Sequence, residues 1–193
     1  MKIKSALLLT LLVLAIGLSG CGQIVTTPEA PTATPTPTGP TMGDRLINNP
    51  GGFSFLSIPD YTLQADGAAV MMLAPEADVN EGPAIVLMGA VDETLTGLTA
   101  ADELPMFIEG TPFEMGEIKV ITLNGLDGAT VELTGSAESG GLVGRAAVLV
   151  PAPNRAFLMM GVAPAERWDE LAVYFEAVLG SVAFFDPAAG STP

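Results

Sequence analysis

The chain has 193 residues, 49% of them apolar, and a formal net charge of −15. That is room for one ordinary domain with extensions and enough apolar residue for its core, which excludes a pair of large domains. Lys2 and Lys4 precede an expected cleavage point, so five basic residues face 22 acidic ones afterwards, a net −17; with no basic patch to release phosphate counterions, nucleic acid is excluded as a partner.

Residues 1–20 read as a signal peptide: Lys2 and Lys4 come first, an apolar run follows from Ala6 to Leu18, and small residues close it. The run is 13 residues long, whereas a permanent membrane-spanning helix takes about 20. It ends in Leu18, Ser19, Gly20 and Cys21, which resembles the lipobox of bacterial lipoproteins. That resemblance implies diacylglyceryl transfer to the Cys21 thiol, cleavage before it and acylation of the new amine. Cys21 is also the single cysteine of the chain, and lipidation accounts for an otherwise unpaired thiol in an exported protein. The expected location is therefore the cell membrane or envelope, lipid-anchored and facing outside the cytoplasm.

Residues 21–50 lack apolar periodicity, and the stretch TTPEAPTATPTPTGPT alternates threonine with proline. Proline fixes φ and withholds a donor, so this part reads as an extended tether following the lipidated cysteine.

From 51 to 187 short apolar runs alternate with Gly, Pro, Asn and Asp, the mark of a strand-rich domain. Strands are predicted near Phe53 to Ile58, Tyr61 to Gln64, Ala68 to Ala74, Ala84 to Val91, Glu117 to Leu123, Ala129 to Thr134, Leu142 to Val150, Arg155 to Val162 and Val182 to Phe185. Asn124-Gly125, Asp127-Gly128 and Gly140-Gly141 suit tight reversals, so the pairing is expected to be largely antiparallel. A short helix is predicted after Thr99, with Asp102 at the reciprocal capping position and Pro105 limiting it. A longer one is predicted from Ala165 to Leu179, stopped by Gly180, with Trp168, Leu171, Ala172, Phe175, Val178 and Leu179 on one face. Ala129 to Thr134 alternates apolar and polar residues and reads as a strand with one wet face. Ala84 to Val91 and Arg155 to Val162 are apolar almost throughout and read as buried on both faces. The expected architecture is an α+β, α/β/α sandwich with a largely antiparallel central sheet and two main helices. Residues 188–193 read as a tail without ordered structure.

The order of elements and the closing run RAFLMMGVAPAERWDELAVYFEAVLGSVAFF resemble the PsbP-like group, whose fold is shared with a small Ran-binding nuclear import factor. Ser181 with Phe184 and Phe185 approximates the closing motif, and Ile58-Pro59 with Tyr61 the opening one. The resemblance spans Phe53 to Phe185; it implies an accessory, scaffolding or binding role and brings no active site with it.

The residues themselves point away from catalysis. The chain has no histidine, which removes the usual general base and the commonest zinc ligand. Lys119 has no Ser-x-x-Lys partner, and GGLVGR lacks phosphate-loop spacing. In the acidic loop from Pro75 to Gly82, Glu76, Asp78 and Asn80 alternate as calcium ligands would, but Glu81 and Leu87 occupy positions that an EF-hand gives to Gly and Glu. Met71-Met72 and Met159-Met160 offer soft thioethers, yet adjacent strand residues face opposite ways and neither pair chelates as a unit. Arg145 and Arg155 read as partners of surface carboxylates. No catalytic, cofactor or metal residue is assigned. The expected function is a tethered, monomeric binding or scaffold module for an envelope protein or small ligand; the alternative is an envelope hydrolase working through carboxylates alone. Two helices are too few to cover both faces of so apolar a sheet, so some apolar surface is expected to remain as a ligand cleft or partner face.

Overall fold

The computed structural model describes residues 39–78, 81–136 and 140–187. Leu18, Ser19, Gly20 and Cys21, most of the tether and the tail 188–193 lie outside them.

Seven strands form a continuous antiparallel ladder, and an eighth pairs beside it. In chain order they are β3 (Thr62–Asp66), β4 (Ala69–Asp78), β5 (Gly82–Val91), β6 (Phe113–Met115), β7 (Lys119–Leu123), β8 (Leu126–Gly135), β9 (Leu142–Ala152) and β10 (Arg155–Pro164). Across the sheet the order is β3-β4-β5-β10-β9-β8-β6, with β7 also on β8. The hairpin from β7 to β8 turns at Asn124 and Gly125, both with positive φ (52° and 81°), as their residue types predict.

A second, three-stranded sheet is made by β1 (Arg45–Asn48), β2 (Phe53–Leu56) and β11 (Ala183–Phe184), with β2 in the middle. Here the reading of 21–50 as tether is corrected. Residues 45–48 pair with β2, and Asn48 fixes the turn between them: its Oδ1 accepts from Gly51 N at 2.6 Å and its Nδ2 donates to Gly67 O at 3.1 Å.

The two helices lie on opposite faces of the large sheet. α2 (Trp168–Ser181) and the small sheet cover one face, where Phe53, Phe55, Met72, Ile85, Leu87, Leu149, Phe157, Met159, Leu171 and Phe175 are buried together. Aromatic edges lock this core: Phe157 meets Phe53 at 5.1 Å and Phe184 at 5.3 Å, each near T-shaped. α1 (Ala100–Ile108) packs Ala100, Leu104 and Ile108 onto Ala129, Val131, Leu133, Ala146, Val148 and Leu158 of the other face. No helix among the described residues is long and apolar enough to cross a membrane.

Both helix ends carry local reasons. Thr99 and Asp102 form a reciprocal capping box at the start of α1, as their spacing predicts. α2 begins later and ends later than expected: Ala165–Arg167 is a 3₁₀ turn, and the helix runs through Gly180 to Ser181. Ser181 is held there by tertiary bonds, accepting at Oγ from Leu56 N (2.9 Å) and at its carbonyl from Arg45 (3.0 Å). Those contacts outweigh the helix-stopping preference of Gly180.

α2 docks over Gly161 of β10. A Cβ there would stand 2.8 Å from Cδ2 of Phe175, a fully buried ring with no free end to swing aside. Gly161→Ala is therefore expected to destabilise the domain by about 1–3 kcal/mol through overpacking, read as a lower urea midpoint. Phe175→Ala, which empties the same contact, is expected to cost about 3–5 kcal/mol.

Candidate functional site

The face under α1 is only partly covered, and the reason is dimensional. Seven strands at about 4.8 Å per step span roughly 29 Å, whereas a helix with its side chains is about 10 Å across. α1 lies chiefly over β8 and β9, with β10 at its margin. On β4, β5 and the near side of β10 the same face is covered only in part: Leu73, Ala84 and Leu158 are buried, and the side chains between them are half-buried.

Register places the residues of that face. Val86 lies opposite Met71 of β4 and Met160 of β10, and Met88 lies opposite Ala69 and Leu158. Val162 pairs with Ala84 one step further along. Met71, Val86, Met88, Met160 and Val162 are all half-buried, while their strand neighbours Met72, Ile85, Leu87 and Met159 are fully buried on the face under α2. Met88 and Met160 pack against the α1 core from its edge. The expectation that Ala84 to Val91 and Arg155 to Val162 are buried on both faces thus holds for the face under α2 and only in part for the other, where Ala84, Ala156 and Leu158 are buried and Val86, Met88, Met160 and Val162 are half-buried. Cover is partial there because nine helical residues lying over β8 and β9 do not reach across β4 and β5.

The methionines sort the same way. Sequence adjacency divides each pair between faces, as predicted, with Met72 and Met159 in the core. It does not reveal that Met71, Met88 and Met160 share a face from three neighbouring strands. Cross-strand register carries that, and nothing local in the sequence encodes it. A hollow of about 360 Å³ lies at the end of α1, lined by Pro105, Met106, Ile108, Thr111, Phe113 and Met115.

The remaining candidates are dispersed. Arg145 bridges Glu132 (2.7 Å) and Glu176 and lies over the Phe175 ring. Arg155 donates to Gly52 O at 3.2 Å and faces Asp186 at 3.8 Å, so it ties the β1–β2 turn to β10. Both arginines are therefore structural. Lys119 is exposed on β7. Glu76 and Asp78 fall at the end of β4, Asn80 lies outside the described residues, and among the described residues no group of three or more acidic or Cys side chains is placed to hold a metal ion.

One carboxylate was not legible in the sequence. Glu103 of α1 is fully buried, and among the described residues neither of its oxygens has a hydrogen-bond partner. Burial, with the negative charges of Asp127 and Asp102 nearby, pushes its pKa up to about 7. Asp127 itself accepts from Ala100 N at 3.2 Å, at the first turn of α1.

The fold so defined is PsbP-like. The structure is similar to the solution structure of PsbP (CyanoP) from the cyanobacterium Synechocystis, with a TM-score of 0.56 at 15% identity over 81% of this chain and 100% of that chain. A Pseudomonas aeruginosa protein of unknown function is more distant, with a TM-score of 0.41 at 12% identity over 62% of this chain and 94% of that chain. No protein-family model matches the sequence. No curated protein matches it either.

Because the folded-state pKa of Glu103 is raised, the native state binds more protons than the unfolded chain between about pH 4.5 and 7. Its contribution is full below that window and is lost as pH rises through it. The domain is expected to show a higher urea midpoint at pH 5 than at pH 8, and Glu103→Gln is expected to raise the pH 8 midpoint while flattening the profile. An unchanged profile in that variant would show that the acid-side gain comes from general repulsion among the surface carboxylates.

Proposed function

We propose that this chain is an exported lipoprotein, anchored in the membrane through acyl groups on Cys21, whose PsbP-like domain is a non-catalytic binding module facing outside the cytoplasm. The lipobox Leu18, Ser19, Gly20, Cys21 and the Thr/Pro tether support the address. The half-buried apolar face formed by Met71, Val86, Met88, Met160 and Val162 carries the reading of the domain as a module that binds an envelope protein or small ligand. It is a hydrogen-bonded floor beside α1 whose side chains are half-buried.

Carboxylate hydrolysis draws less support. The carboxylate with the strongly raised pKa, Glu103, is fully buried, so a substrate has no access to it.

Two measurements test the reading. Cys21→Ser is expected to abolish fatty-acid labelling, leave the precursor uncleaved and release the chain from washed membranes; normal processing of that variant overturns the anchor. For the module, methyl-labelled methionine spectra are recorded while envelope fractions are added. Shifts at Met71, Met88 and Met160 that Val86→Asp removes, with Met106 unmoved, are the expected outcome; spectra unchanged by every fraction overturn it.

A further inference from the structure

We infer that α1 is a hinged, proton-operated cover: it lies closed on β8 and β9 while Glu103 carries a proton and swings open when that proton leaves. The inference concerns the face beneath α1 and stands whether or not the neighbouring methionine-bearing floor receives a partner.

Hinges and a thin interface are the first argument. Gly97 before α1 and Gly110 after it hold positive φ (86° and 81°), and a Cβ at either would meet nothing within 4 Å, so both joints have room to turn. Between them the helix has nine residues with Pro105 inside, too short to persist in water by itself. Its hold on the sheet is the packing of Ala100, Leu104 and Ile108, with half-buried Phe107, onto Ala129, Val131, Leu133, Ala146 and Val148. One polar tie adds to this, from Ala100 N to Asp127 Oδ2 at 3.2 Å. The core under α2 shares none of these side chains, so α1 can lift while that core stays closed.

Placement of charge is the second. Glu103 stands one turn after Ala100, fully buried, and among the described residues neither carboxyl oxygen has a hydrogen-bond partner. The helix packs against β7, β8, β9 and β10, whose cations are all committed elsewhere. Arg145 of β9 is held by Glu132 of β8 and by Glu176, over the Phe175 ring on the α2 side. Arg155 of β10 is bonded to Gly52 O. Lys119 of β7 lies opposite Thr130, whose side chain alternates with Ala129 and Val131 and so points away from α1. Glu109, past the helix end, is exposed. The charges that do approach Glu103 are the carboxylates of Asp127, at the start of β8, and Asp102 on α1 itself, and both oppose its ionisation. Opening returns an ionised, unpaired carboxylate to water.

The closed helix therefore favours the protonated acid, and opening is favoured as pH rises. With a pKa of about 7 when closed and the ordinary 4.5 when open, the ratio of open to closed grows roughly 70-fold from pH 5 to pH 8. The test follows amide hydrogen exchange in the full chain across that range, with rates corrected for the base catalysis of exchange itself. Residues 100–108 are expected to lose protection by roughly that factor, while β5 and β10 keep theirs within a few fold. Glu103→Gln is expected to hold α1 protected at pH 8 and flatten its profile. Asp127→Asn, which keeps an oxygen for Ala100 N and removes the charge, is expected to give a smaller loss than the wild type.

Protection of α1 that does not vary with pH overturns the cover. So does a loss shared equally by β5 and β10, which marks unfolding of the whole domain, or a loss that Glu103→Gln leaves intact. The wild-type profile decides the first two even where a variant fails to fold.

Discussion

The controlling constraint is unequal cover over a wide sheet. An antiparallel sheet of this breadth has two faces to remove from water, and the chain spends most of its remaining elements on one of them. α2 and the three-stranded sheet sit on the Phe157 face, where aromatic side chains from β2, β10 and α2 interlock. The Val148 face receives α1 alone, nine residues ending at Ile108. The firm core under α2 and the half-buried, methionine-bearing floor beside α1 both descend from that asymmetry.

Local patterns were readable where the local chain decides the outcome. Thr99 and Asp102 announce a helix start because both partners of the capping box lie within one turn. Ala129, Val131 and Leu133 alternate with Thr130, Glu132 and Thr134 because β8 keeps one polar face, and the structure buries the apolar set under α1. Elements decided by distant contacts were not readable. β1 has four residues and follows a proline-rich stretch, so its pairing with β2 leaves no periodic trace. β6, three residues long, gives no more signal. Helix α2 passes Gly180 because Ser181 is bonded to residues 125 and 136 positions earlier in the chain, which no window around residue 180 contains.

The site shows the same division. Composition marks Met71, Met72, Met159 and Met160 as conspicuous, and strand periodicity assigns each to a face. Which of them become neighbours depends on the register of β4 against β5 and of β5 against β10, and a shift of one residue would send Met88 to the core and Leu87 to the half-buried floor. Glu103 leaves no sign in the sequence for a related reason. A glutamate in the first turn of a helix ordinarily complements the dipole and faces water. Here the cap at Thr99 and the docking of Ala100 and Leu104 onto β8 and β9 rotate position 103 into the interface.

A hydrophobic floor intended only to receive apolar surface would be served by leucine or isoleucine, which hold defined rotamers and specify packing better than methionine does. Methionine brings flexibility and a sulfur lone pair, at a cost in rotamer entropy when it is fixed. At Met72 and Met159 the gain is gap-filling in a dense core. Met71, Met88 and Met160 are half-buried, and Met88 and Met160 close the edge of the α1 core. What distinguishes them from leucine there is an unbranched, flexible side chain that can adapt to a surface arriving from outside the fold. The half-buried floor therefore differs from the core beneath it in chemistry as well as in exposure, although both are built from alternate residues of the same strands.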